Sequence, residues 1–366
     1  MALKWASGIV RTVRPAAAKQ VIRLESGSLS SSNAGQSSVP MGVLRMHHRF
    51  ILFLLILLTA CGSAITANAQ SIDVRARHNL VNSGTVGIVS GGVTGTYVRF
   101  ASDLSNALDD GYKHRILAIL GKGSVRNIED LLMLKGVDVA IVQSDVLDFY
   151  RSNQLYPDVE KKIEYITKLY NEEVHLLARS GIAEVGDLRG KKVNFGTQGS
   201  GTFMTASIIF DALDVEVEAT TYSEPIAMAK LREGEIDALV FVGGKPVTLL
   251  REVGEADKLQ LLPIPAGKIK GAYLAETLTS ESYPNLIKPG EEVPTVAVGA
   301  VMAAYKWPSS HPRHTKVERF VDRFFKNLDT LKQPPFHQKW KEVDLRSKVP
   351  GWQRFDAAET WLAGNP

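Results

Sequence analysis

Three times along this chain a short apolar run stops at glycine and passes into a helical period, and this recurrence restricts the fold more than any other feature. Val86 to Val89 runs into Ser90-Gly91-Gly92-Val93-Thr94-Gly95-Thr96-Tyr97, after which Tyr97, Phe100, Ala101, Leu104 and Leu108 recur at helical spacing. Ile116 to Leu120 meets Gly121-Lys122-Gly123-Ser124, and Ile128, Leu131 and Leu132 follow. Val193 to Gly196 leads through Gly199-Ser200-Gly201 into Thr202, with Phe203, Ala206, Phe210 and Leu213 on one helical face. Strands that turn through glycine into helices predict an α/β sheet.

These turns carry a chemical consequence. The first-turn N–H groups of a helix have no partner within it, and the positive end of the helix dipole lies beside them, so an anion is favoured there. Gly199 and Gly201 let a ligand approach the backbone, and Ser200 and Thr202 add hydroxyl donors. A further run, Val137 to Val142, ends in Gln143-Ser144-Asp145. In open α/β sheets ligands bind beyond the carboxyl ends of the strands, and those ends present Thr96 and Tyr97, Ser124 and Asn127, then Gln143 and Ser144. Asp145 is expected to cap the next helix. The glycine pattern at 90–97 is not a dinucleotide fingerprint, because no acidic residue ends a clear second strand about 20 residues on.

A faint internal repeat is visible. Leu134-Lys135-Gly136-Val137-Asp138-Val139-Ala140 matches Leu231-Arg232-Glu233-Gly234-Glu235-Ile236-Asp237-Ala238 in running from a helix end through glycine to Asp and an apolar strand. Two lobes of like topology would produce it. Tyr165 to Arg179 is expected to contain a strand at Val174 to Ala178, Gly267 to Pro294 reads as a polar stretch, and Thr295 to Tyr305 reads as a strand returning to the first lobe.

The formal net charge of +4 misleads. Residues 1–69 hold seven Lys or Arg and one Glu, which leaves 36 basic and 38 acidic residues in the remainder. That remainder has no basic bias of the kind nucleic acid requires. Residues 46–69 are expected to be an export signal, with Arg49 ahead of an apolar run from Phe50 to Leu58 that is far short of the ~20 residues needed to span a bilayer. Cleavage after Ala69 would release the chain to the periplasm. Leu58-Thr59-Ala60-Cys61 resembles a lipobox, and lipid attachment at Cys61, the sole cysteine, would instead tether it to a membrane. Residues 1–45 are expected to be a misassigned start or a disordered leader.

Taken together, SGGVTGTYVRFASDL at 90–104, GKGSVRNIEDLLMLKGVDVAIVQSD at 121–145, LRGKKVNFGTQGSGT at 188–202 and TVAVGAVMAAY at 295–305 resemble the solute receptors of TRAP transporters of the TAXI family. The resemblance runs over about 86–366. It implies the type II periplasmic binding fold, two α/β lobes joined by hinge strands, here with 80–178 as the first part of lobe I, 179–294 as lobe II and 295–366 as the return to lobe I with C-terminal helices. It also implies a small anionic solute, a carboxylate or an acidic amino acid, handed to a membrane permease. Carried onto this sequence, the family's elements fall on Gly95, Thr96 and Tyr97; on Gly123, Ser124 and Asn127; on Gln143, Ser144 and Asp145; and on Gly199, Ser200, Gly201 and Thr202. Gln198 departs from the family pattern.

No catalytic constellation is visible. His78, His114, His175, His311, His314 and His337 show no metal-ligand spacing with a neighbouring acid or cysteine, and they read as surface residues. Ser200 lacks the context of a nucleophile elbow. The expectation is a monomeric binding protein with no cofactor, no metal and no nucleic-acid partner. An ABC importer's receptor shares the expected fold, and an exported two-lobe enzyme is the reading from another class. Trp340, Trp352, Phe355 and Trp361 are expected to pack rather than to bind.

Overall fold

The chain enters its sheet through a helix over 74–84, α1, in a computed structural model that describes residues 74–365. The export signal, Cys61 and both cleavage sites lie outside the described residues. β1 (Thr85–Val89), α2 (Thr96–Leu108), β2 (Arg115–Ile119), α3 (Ser124–Met133) and β3 (Val139–Gln143) come next. All three strands are parallel, with β1 between β2 and β3. The alternation along β3 sets the two faces: Val139 and Ile141 pack with Phe100 and Leu104 of α2, while Ala140 and Val142 pack with Ile128 and Leu131 of α3. Each of the larger of these buried side chains contributes roughly 1.5–3 kcal/mol.

After α4 (Val146–Ser152) and the long strand β4 (Ile163–Arg179) the pattern repeats as β5 (Lys192–Asn194), α5 (Gly201–Ala212), β6 (Glu218–Thr220), α6 (Glu224–Glu233) and β7 (Ala238–Gly243). Here β5 lies between β6 and β7, again parallel. The sequence repeat is now physical. Asp138 Oδ2 accepts the Gly87 N–H at 3.0 Å in the middle of β1, and Asp237 Oδ2 accepts the Lys192 N–H at 3.0 Å at the start of β5. The same acid in the same place ties the third strand of each half to the first.

The remaining elements are α7 (Thr248–Arg251), β8 (Leu259–Leu261), β9 (Leu274–Thr279), β10 (Glu292–Tyr305), α8 (Pro312–Lys326), α9 (Leu328–Leu331) and α10 (Asp356–Gly364). The sheet runs β2-β1-β3-β10-β4-β7-β5-β6, with β8 on β4 and β9 on β10. β4 and β10 are antiparallel, and both are long enough to serve the two halves. The start of β4 pairs with the end of β10 beside β3, and the end of β4 pairs with β7 and β8. Each half thus has the order second, first, third, then a long antiparallel strand. That is the order of the type II periplasmic binding fold, as the resemblance implied.

Three expectations need correction. β4 has 17 residues, three times the length of the Val174 to Ala178 core read from sequence. Its first part mixes Glu164, Thr167 and Lys168 with apolar residues, and Glu164 is neutralised by Lys306 at 3.0 Å. The polar stretch 267–294 contains β9, an edge strand too exposed to need an apolar run. Two histidines are buried rather than superficial. His175 is wholly enclosed, with Nε2 2.7 Å from the Tyr283 hydroxyl, and burial holds it neutral by pushing its pKa to about 3. His314 lies buried in the first turn of α8, and its Nε2 is 2.7 Å from Asp356 Oδ1, a carboxylate distant in sequence. Of the tail aromatics, Trp340 and Phe355 are fully buried, and Trp340 stacks on Phe100 at 4.1 Å between centroids.

Candidate functional site, a cavity ringed by helix N-termini

Beyond the carboxyl ends of the strands, helices α2, α3, α5 and α6 start around one cavity of about 50 Å³. α2 follows Gly95 and α3 follows Gly123, and neither helix has a side-chain cap. Gly123 has φ 104° and ψ −170°, a backbone state that side chains exclude, which sharpens the turn and aims the α3 N–H groups inward. α5 is capped once, by Ser200 Oγ accepting the Phe203 N–H at 3.0 Å. Among the described residues no acceptor meets the N–H groups of Gly201 and Thr202. The site therefore gathers unpaired donors and helix dipoles into a small enclosed space.

Of the residues singled out from sequence, Thr96, Tyr97, Gly123, Ser124, Gln143, Ser200, Gly201 and Thr202 line this cavity. Three hydroxyls are already held from one side. Ser124 Oγ accepts the Gln143 N–H at 3.0 Å, Thr202 Oγ1 accepts the Val242 N–H at 3.3 Å, and Ser200 accepts as described. Each oxygen is fixed as an acceptor, which leaves the Ser200 and Thr202 hydrogens to point at a guest, while that of Ser124 has the Tyr97 oxygen within reach at 3.4 Å.

Asn127, Ser144 and Gly199 stand outside the lining. Asn127 is a buried tie: its amide donates to the Ser90 and Ile141 carbonyls at 2.6 and 2.8 Å, and its Oδ1 accepts from Gly123. Ser144 sits against Gly299, and its carbonyl accepts the Trp352 indole N–H at 2.7 Å. Gly199, at φ 86°, offers its carbonyl to the Arg126 N–H at 2.9 Å. Asp145 begins α4 without capping it. Its Oδ2 accepts the Tyr273 hydroxyl at 2.7 Å instead.

Sequence reasoning missed Glu172, Lys122, Glu224 and Phe241, all in the lining. Glu172 is the telling one. It is 2% exposed on β4, and it accepts the Tyr97 hydroxyl at 2.6 Å. Tyr97 therefore turns a hydroxyl as well as a ring to the cavity. Burial pushes the Glu172 carboxyl up to about 8, and burial with the adjacent Glu172 holds the Tyr97 hydroxyl far above its ordinary 10. The signal was present in Asn171-Glu172-Glu173, two acids in a strand buried on both faces.

The two halves touch across the cavity. Arg126 N–H of α3 reaches Gly199, Gln143 Nε2 of β3 donates to Thr205 Oγ1 of α5 at 3.0 Å, and Tyr273 reaches Asp145. A Cβ on Gly201 would lie 2.3 Å from Gln143 Oε1 and 2.6 Å from Ser124 Oγ. The space left admits only a few atoms, so any larger guest needs the halves to part and close again. Among the described residues no group of three or more His, Cys, Asp or Glu side chains could hold a metal ion. What the arrangement can do is donate hydrogen bonds to a small guest and enclose it.

The strand order and the inter-half cavity define a protein of the type II periplasmic binding class. Residues 88–350 match the model of the NMT1-like family, and the chain belongs to that family. Among solved structures, the periplasmic binding protein BugD is 14% identical, with 76% of this chain and 93% of that one covered and a TM-score of 0.48. MatC from Rhodopseudomonas palustris, solved with bound malate, is 16% identical over 68% of this chain and 86% of its own, with a TM-score of 0.43. A putative periplasmic sulfonate-binding protein, SsuA of Methylobacillus flagellatus, is 10% identical over 75% and 76%, with a TM-score of 0.42.

Proposed function

We propose that this protein is the extracytoplasmic solute receptor of a TRAP transporter of the TAXI type, which binds a small carboxylate or an acidic amino acid between two lobes and delivers it to a membrane permease. The observation that carries the reading is the convergence of the α2, α3 and α5 N-termini on one cavity between the halves. The solute's carboxylate accepts from the Gly201 and Thr202 N–H groups and from the Ser200 and Thr202 hydroxyls. Charge-assisted bonds of this kind contribute roughly 1.5–3 kcal/mol each when desolvated. The lobes, 80–178 with 295–366 and 179–294, swing about β4 and β10, and the solute leaves unchanged because the lining offers no activated nucleophile. The motif order from 90 to 305 supports the TAXI assignment within the family.

A thermal-shift screen over dicarboxylates and amino acids tests this, since a bound solute raises the melting temperature by mass action. Thr202→Val removes a donor hydroxyl. It should weaken binding of the best solute about 10-fold, and because it also strands the buried Val242 N–H it should lower the ligand-free melting temperature. Unchanged affinity in Thr202→Val would remove the pocket assignment. A gene for a large multi-span permease beside this one supports the TRAP reading, whereas an ATPase gene there supports an ABC importer's receptor.

A further inference from the structure

β4 carries two adjacent acids on opposite faces, and only one of them has a cation. Glu173 meets Lys339 Nζ at 2.6 Å and accepts the Lys245 N–H at 2.7 Å. Glu172, on the cavity side, has a single partner, the Tyr97 hydroxyl, and among the described residues no Lys, Arg or His lies within ion-pair distance of it. Beside it in the lining stands Gln143, 1% exposed, whose Nε2 is committed to Thr205 and whose Oε1 is buried without a partner. The cavity thus has two characters. One wall is made of helix N–H groups and hydroxyls that seek an acceptor. The other holds a carboxyl that has a hydroxyl donor but no cation, and an amide oxygen that has no donor. A buried acceptor left without a donor is a cost that native structures avoid.

We propose that the solute carries a protonated nitrogen beside its carboxylate, as an α-amino acid does, and that Glu172 and the Gln143 Oε1 receive that ammonium while the N-termini of α5 and α3 receive the carboxylate. This rests on the receptor reading above and narrows its substrate class. The distances favour one short ligand head spanning both walls. Tyr97 Oη is 2.6 Å from Glu172 and 3.4 Å from Ser124 Oγ, and Ser124 Oγ in turn faces Gly201. A solute bearing only carboxylates would set negative charge against Glu172, and it could enter only with that carboxyl protonated. The upward displacement of the Glu172 pKa to about 8 is the mark of a buried acid whose counter-charge is not supplied by the protein. An ammonium would supply it and return the group to its ionised form.

Isothermal titration of the intact secreted chain tests the inference with matched pairs: L-glutamate and 2-oxoglutarate, L-aspartate and L-malate, L-alanine and L-lactate, each at pH 6 and pH 8. The expected result is an amino acid bound about 10- to 100-fold more tightly than its partner acids, the range of one charge-assisted hydrogen bond. Its affinity should rise from pH 6 to pH 8, because receiving the ammonium converts Glu172 from its protonated to its ionised form and releases a proton. Glu172→Gln, which keeps an acceptor for Tyr97, should erase that preference by weakening the amino acid and strengthening the partner acid. If this variant folds poorly, the preference in the native protein still decides, and Tyr97→Phe, which retains the carboxyl, should keep it. Partner acids that bind as tightly as the amino acids, or more tightly and with affinity falling at pH 8, overturn the inference and leave the receptor reading standing. Failure of every carboxylate and amino acid in the panel to bind overturns both.

Discussion

A methyl group at position 201 should separate closure from folding. Gly201 is the first residue of α5 and has ordinary helical geometry, so alanine there costs the backbone nothing and removes freedom from the unfolded chain, an effect of about 0.4–1 kcal/mol in favour of the fold. The added Cβ would lie 2.3 Å from Gln143 Oε1 and 2.6 Å from Ser124 Oγ, both on the opposite half. Ordinary contact begins near 3.4 Å, so the overlap is about 1 Å against two side chains that are themselves hydrogen-bonded. Overpacking of this kind costs roughly 1–3 kcal/mol, and the strain exists only when the halves meet. At about 1.4 kcal/mol per tenfold, Gly201→Ala should bind its solute some 5- to 150-fold more weakly while its melting temperature without solute is unchanged or slightly higher. Isothermal titration reads the affinity, and small-angle scattering should show a larger radius of gyration at saturating solute. Gly123→Ala is the control. At φ 104° it strains the backbone in every state and should lower the melting temperature as well. Native affinity in Gly201→Ala, with an unchanged melting temperature, would refute the idea that these two turns meet when the solute is held.

Three other outcomes follow from the geometry. Asn127→Ala should lower stability by about 1–3 kcal/mol in urea unfolding, because it strands the buried Ser90 and Ile141 carbonyls. Asp138→Ala should cost more than Asp237→Ala in the same assay, by at least about 1 kcal/mol. Both lose the strand tie, but Asp138 is 2% exposed and is also paired to Lys316 at 2.7 Å, while Asp237 is only half-buried. With the halves in contact the protein should lose stability as pH rises. Burial holds Glu172 at about 8 and Asp145 at about 6, above their ordinary 4.5 and 3.8. The folded chain therefore keeps protons that the unfolded chain gives up. This stabilisation is complete below about pH 4 and lost by about pH 8. Urea midpoints across that range should fall more steeply in the native protein than in Glu172→Gln, and parallel curves would contradict the burial of that carboxyl.

Much of the fold could be read from residues because its signals are local. Glycine after an apolar run marked β1, β2 and β5, and the matched Gly-to-Asp segments marked β3 and β7 as equivalents. The elements that escaped are those whose stability comes from distant partners. β9 is an exposed edge held by pairing with β10, and the first part of β4 is held by β10 on one flank and Lys306 at its start. His314 read as a surface residue because its acid, Asp356, arrives from α10. The same division runs through the site. The residues that build the helix starts were visible, since a turn needs particular residues at particular offsets. Whether Asn127 faces the guest or ties the turn was not, because both roles ask for the same amide.

Glu172 is where the local and distant arguments meet. A strand shared by two halves must pass between them, and each of its side chains then faces either the space that opens or the space that stays shut. Glu173 faces the shut side and is fixed there by Lys339 from the C-terminal segment and by the backbone of Lys245 after β7, so it joins the halves at the pivot. One residue earlier, alternation alone turns Glu172 to the cavity. Its carboxyl is desolvated whenever the halves come together, and the protein places beside it only a tyrosine hydroxyl. The cost of that burial therefore depends on what the closing halves enclose, and a guest that brings a positive charge lowers it. A pair of consecutive acids in the middle of a buried strand thus carries two separate roles, one in holding the pivot and one in choosing what the pivot closes upon.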